Sequence, residues 1–172
     1  MNSLVPSSVN CENSTETSTS SCASNACAVL EAPNLKWADK LAILTYRFSK
    51  LDQSPTPVEH HFEKGLYIRT IRIPADTLFL GRVHTVGHKC ELVSGRVMHI
   101  TEHERRIVEA PFSMVTTPGY QMVLYAFTDV IGRTVHLNEE ESRDMAALER
   151  DFAEPASALW ERGRDLDQRL IT

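Results

Sequence analysis

The chain has 172 residues, 42% of them apolar, and carries 18 Lys and Arg against 23 Asp and Glu, a formal charge of −5. That length suits one domain with a real core. No block of basic side chains exists to neutralise phosphates, which argues against nucleic-acid binding, and no run of about 18 apolar residues is present to cross a bilayer.

Residues 1–30 hold no Lys or Arg and are dominated by Ser, Thr, Asn and Cys. Such a stretch has little to bury against the entropy of ordering it, so a disordered leader is expected, neither a secretory signal nor a transit peptide. Three of the four cysteines, Cys11, Cys22 and Cys27, lie here, separated by ten and four residues. That spacing is not a zinc knuckle's, and free thiols in a cytoplasmic protein are the expectation.

Residues 31–57 read as an amphipathic helix and a proline linker. Asn34 offers an N-cap, and Trp37, Leu41, Leu44, Phe48 and Leu51 mark one apolar stripe from about Leu35 to Leu51. Pro55 and Pro57 then stop the helix and start an extended stretch. From residue 58 to 137 short apolar runs alternate with turn residues. The pattern predicts strands near 66–73, 77–84, 89–93, 96–101, 106–109, 112–115, 121–128 and 133–137, separated by turns such as Ser94-Gly95 and Pro118-Gly119. Many short strands with no helical pattern between them indicate a sandwich or barrel. Residues 138–172 follow as one or two acidic helices: Asn138 and Glu141 form a candidate capping pair, Met145, Leu148 and Phe152 an apolar stripe, and Pro155 a restart. The first is expected against the barrel; the last, interrupted by Gly163, projects or meets a second copy.

Chemistry concentrates between Ile73 and Gly95. His84 and His88 have equal parity, so in a strand whose alternation survives Gly87 both imidazoles face one side. Neutral imidazole is a common ligand for divalent transition metals, but two donors do not make a site. The bland alternative is a pair of hydrogen-bonded core or surface histidines.

At these residues the sequence resembles the cupin superfamily of small jelly-roll barrels. On the spacing of the first cupin signature, Gly95 matches the last glycine and His84 the second histidine. His88 stands at the glutamate, Arg82 at the first histidine and Asp76 at the first glycine. Of the second signature only Gly119 matches; Met122 replaces its histidine, and Pro118 is one residue out of place. The run His61-Phe62-Glu63-Lys64-Gly65-Leu66-Tyr67-Ile68-Arg69, with Tyr125-Ala126 and Thr134-Val135-His136, is similar to uncharacterised single-domain cupin-like proteins of bacteria and phages. The resemblance implies a mainly β chain: one cupin-type double-stranded β-helix over 58–137 with flanking α-helices.

His136 is the first candidate to complete a metal site. A hairpin of 121–128 with 133–137 would set it across from Tyr125, on the strand that carries the missing histidine in the usual cupin site. His61, on the entry strand, is a second candidate, and Tyr125 a hydrogen-bond donor to ligand or water. Arg82 is a candidate anion clamp, or pairs with Asp76 or Glu91 across strands. His99 and His103 border a polar turn and are expected to be solvated, and Cys90 reads as a small buried hydrophobe. No nucleophile elbow, phosphate loop or dinucleotide fingerprint occurs.

The leading expectation is a barrel that binds a small polar ligand, with a divalent metal on His84, His88 and His136 and Arg82, Tyr125 and His61 as ligand contacts. If it is an enzyme, an open metal position acts as Lewis acid or activates water or oxygen. The rival from another class is a metal-free structural or interaction module that pairs with itself as a homodimer or with a partner.

Overall fold

The computed structural model describes residues 7–10, 26 and 28–171. Strands are β1 (Ser7–Asn10), β2 (Val58–Glu63), β3 (Leu66–Ile73), β4 (Thr77–Val83), β5 (Lys89–Ser94), β6 (Arg96–Ile100), β7 (Arg105–Glu109), β8 (Phe112–Val115), β9 (Gln121–Ala126) and β10 (Val130–Leu137). Helices are α1 (Trp37–Phe48), α2 (Met145–Phe152) and α3 (Ala156–Ile171). None of them is long and apolar enough to cross a membrane.

The strands form two antiparallel five-stranded sheets, ordered β1-β4-β9-β6-β7 and β2-β3-β10-β5-β8. Their pairing reveals the winding. β3 pairs with β10, β4 with β9, β5 with β8 and β6 with β7, the nested order of one long folded hairpin, and its successive rungs fall on alternate sheets. That is a jelly roll, as expected from the sequence, and it leaves two sheets face to face around one interior.

Period-two alternation decides which side chains enter that interior. From β3 come Tyr67, Arg69, Ile71 and Ile73; from β9, Met122 and Leu124 pack with Phe79, Val97, Val108 and Val130 inside the barrel. The opposite parity of β4 and β9 serves a second layer. Leu78, Leu80 and Val123 lie under Leu41, Leu44 and Phe48 of α1. α3 then packs on α1. A Cβ at Gly163 would overlap the Ala42 carbonyl, so glycine permits the close approach, and Arg47–Asp167 at 2.7 Å and Trp160 Nε1 donating to Ser49 Oγ at 2.9 Å fix the crossing.

Several expectations need correction. The leader was expected to be disordered, yet Ser7–Asn10 pair with β4, and Ala26, Val29 and Leu30 are buried beside α1; the other leader residues lie outside the described ones. Backbone pairing on an open strand edge needs no apolar side chains, which is why composition missed it. α1 starts after Lys36 rather than Asn34, with no side-chain cap. Asn138 and Glu141 do not cap a helix: Asn138 bonds both backbone groups of Ser142, and Asp144 caps α2 through the amides of Ala146 and Ala147. α3 does not project but covers α1. β9 and β10 are no hairpin, since the winding sends them to different sheets.

Candidate metal centre

The segment between β4 and β5 builds the site. The His84 amide donates to the Tyr120 carbonyl at 3.0 Å, ending β4 beside β9, and Thr116 receives the chain on the other side. A Cβ at Gly87 would lie 2.8 Å from the Thr116 carbonyl oxygen, so glycine lets the turn pass close to that residue. His84 and His88 therefore do not share one strand. They flank the turn between the two sheets, and this fold, rather than strand parity, brings both rings inward.

His136 enters from β10, opposite Tyr67 of β3 and not opposite Tyr125. Ring centroids are 3.9 Å apart for His84 and His88, 4.6 Å for His88 and His136, and 5.3 Å for His84 and His136. One ligating atom from each of the three lies within 4.8 Å of the others. α2 closes this end. Thr85 donates to the Phe152 and Asp151 carbonyls, Glu154 donates to that of Val83, and Phe152 stacks on His136 at 4.6 Å and on Tyr67 at 6.0 Å.

Hydrogen bonding leaves nitrogen donors for an ion. Thr116 Oγ1 lies 2.9 Å from His88 Nδ1 and accepts from the His88 amide at 3.2 Å, which fixes the ring and turns Nε2 inward, 3.2 Å from Cys90 Sγ. Nδ1 of His84 and Nδ1 of His136 are buried without any hydrogen-bond partner among the described residues. A buried unpaired polar atom costs roughly 1–3 kcal/mol, which a metal bond would offset. Burial, then the neighbouring imidazoles and the charge of Arg69, push His84 and His136 down to about 3, so both rings are neutral at ordinary pH. His88 is also lowered, by burial. Neutral imidazole is the ligating form, and three such donors, one with its second nitrogen held by a hydroxyl, fit a divalent transition metal.

Below the rings runs a cavity of about 120 Å³, smaller than an engineered cavity of ~150 Å³ that holds benzene. His84, His88, Arg69 and Arg82 line its polar end, and apolar side chains such as Ile71, Phe79, Phe112 and Met122 line the rest. His99 and Tyr120 also face it, with His99 Nε2 2.6 Å from the Tyr120 hydroxyl. Burial pushes Cys90 up to about 12, so it stays a thiol and packs as a small hydrophobe.

The structure thus brings His84, His88 and His136 together and sets Arg82 on the same cavity. It does not bring Tyr125 or His61 there. Tyr125 has the outward parity of β9; it packs against the α1 layer and donates to Asp76 Oδ1 at 2.8 Å. His61 points to solvent on the edge strand β2, 3.4 Å from Glu63. Arg82 pairs with neither Asp76 nor Glu91. A bulge between Leu80 and Val83 turns it toward α2, where it donates to the Glu154 carbonyl at 3.0 Å and lies 3.7 Å from Glu149. His99, expected to be solvated, is buried because it shares the inward parity of Val97 on β6, a strand paired on both sides; His103 is exposed as expected. Sequence reasoning also passed over Arg69, although its parity with Tyr67, Ile71 and Ile73 marks it as inward.

No protein-family model matches the chain, and no curated protein matches its sequence. Among solved structures it is similar to an acetylacetone dioxygenase from Acinetobacter johnsonii, at 16% identity and a TM-score of 0.38, covering 48% of this chain and 58% of that one. It is also similar to a cupin-2 domain protein from Shewanella frigidimarina (11% identity, TM-score 0.39, covering 54% and 89%) and to an ectoine synthase from P. lautus (12% identity, TM-score 0.42, covering 49% and 65%). The chain spans just over half the length of the acetylacetone dioxygenase. At these identities and TM-scores the likeness says nothing of this chain's activity. The order in which its strands wind makes this chain a jelly-roll barrel.

Proposed function

We propose that the barrel binds one divalent transition metal through His84, His88 and His136 and a small ligand in the cavity beneath. The observation that carries this reading is the convergence of three neutral imidazoles, two of which bury an unpartnered Nδ1. A metal held by three protein ligands keeps a position for water or substrate and supplies Lewis acidity there. The chain's own residues supply the rest: Thr116 orients His88, Phe152 and Tyr67 cover His136, and the apolar wall excludes water.

A second reading has one observation in its favour. His136 also stacks on His84, His88 and Phe152, as core rings do, which suits a metal-free structural barrel. Metal content of tag-free protein after incubation with iron, manganese, nickel or zinc separates the two. The metal reading expects about one equivalent, lost in His136→Phe, which keeps a ring at that position but no donor. Failure of the folded wild-type protein to retain any of these ions would overturn it.

A further inference from the structure

Among the described residues the cavity holds one cation with no hydrogen-bonded or ion-paired partner. Arg69 projects inward from β3 and lines the cavity, yet among the described residues it makes no hydrogen bond and no ion pair. The other guanidinium groups on the cavity are engaged through their terminal nitrogens: Arg82 with the Glu154 carbonyl and Glu149, and Arg133 with Glu91 at 3.5 Å. Glu91, a carboxylate on the same lining, is bound by Lys89 at 2.6 Å besides Arg133, so it is not available to Arg69.

Register places this group beside the imidazoles. Arg69 pairs with Thr134 and Tyr67 with His136, so Arg69 and His136 are diagonal neighbours on one face, about 7–8 Å apart at the backbone in such pairs and within a guanidinium's reach. Burial, foremost, and the nearby Arg82 disfavour the charge of Arg69, while Tyr67 and Glu149 support it; the balance lies against the charge, and an entering anion would relieve it.

We propose that Arg69 is a specificity-determining residue that holds the carboxylate of a small monocarboxylic ligand whose short apolar tail fills the cavity. The ligand class follows from the surroundings. A planar fork matches the two oxygens of a carboxylate, and the largely apolar lining beneath it suits an organic acid rather than a free phosphate. Ile71, Phe79, Phe112 and Met122 favour an apolar tail, and the cavity volume limits that tail to about the size of a benzene ring. The inference rests on the ligand-binding reading above and names the ligand's chemistry.

Calorimetric titration of metal-free protein with benzoate, and with benzamide as its uncharged counterpart, tests it. Wild-type protein is expected to bind benzoate saturably and benzamide roughly tenfold or more weakly, the usual loss for one charge-assisted hydrogen bond. Arg69→Met should bind both weakly, and Arg69→Lys should recover part of the preference for benzoate. Equal affinity for the two probes, unchanged benzoate binding in Arg69→Met, or no benzoate binding at millimolar concentration would each overturn the proposal. Should Arg69→Met fail to fold, the comparison of the two probes in wild-type protein and Arg69→Lys still decides. Metal uptake on the same preparations reports separately on the imidazoles: Arg69→Met should still load metal, and a wild type that binds benzoate without ever loading metal refutes the metal site alone.

Discussion

Acid should unfold the metal-free protein through its buried imidazoles, and the structure fixes the sign. His84 and His136 titrate at about 3 in the folded chain against an ordinary value of 6.5, because burial disfavours the charged ring. Between those values the unfolded chain binds protons that the folded one refuses. The stability contributed by neutral imidazole is therefore complete above about pH 6.5 and lost as the pH falls toward 3. One such group gives a slope of about 1.4 kcal/mol per pH unit, and two give at most roughly 2.7. Since single domains are stable by only about 5–15 kcal/mol, a fall of two pH units suffices to remove a large part of the margin. Urea unfolding at fixed pH between 7.5 and 4.5, with chelator present and Trp fluorescence as the signal, measures this. His136→Phe, which removes one titrating ring while keeping an aromatic one, should flatten the dependence by about 1 kcal/mol per pH unit. An equal slope in wild type and variant would refute the claim that this ring is held neutral by its surroundings.

Further perturbations separate site from scaffold. Thr116→Val removes the hydroxyl that orients His88, so metal affinity should fall roughly 10–100-fold in a competition titration while the barrel stays folded. Gly163→Ala should lower stability in spite of alanine's better helix propensity, by about 1–3 kcal/mol in urea unfolding, because the added methyl meets the Ala42 carbonyl of α1.

How much of this was legible in the chain depends on range. Local alternation was readable: strands 66–73 and 112–115 stand where the apolar pattern puts them, and parity alone sends Tyr67, Arg69, Ile71 and Ile73 inward. Pairing between distant strands was not. A hairpin of 121–128 with 133–137 looked natural from their short connection, but the jelly-roll winding sends β9 and β10 to opposite sheets and gives His136 Tyr67 as neighbour. The same non-local fact moved Tyr125 to the helix-covered face and buried His99 in mid-sheet. His84 and His88 were singled out for their spacing within one strand, whereas a turn past Thr116 is what aims both rings at one point. Arg82 escaped its expected partners because a bulge, invisible in the composition of β4, redirected it toward α2.

The proposed function requires that three imidazoles from two facing sheets share one ion. Titrating the metal-free protein with cobalt(II), and following its visible absorption, tests it directly, since the bands report both stoichiometry and nitrogen coordination. Saturation at one equivalent is expected in wild type, with loss of those bands in both His84→Ala and His136→Phe. Bands that survive both substitutions, or a folded wild type that never develops them, would contradict it.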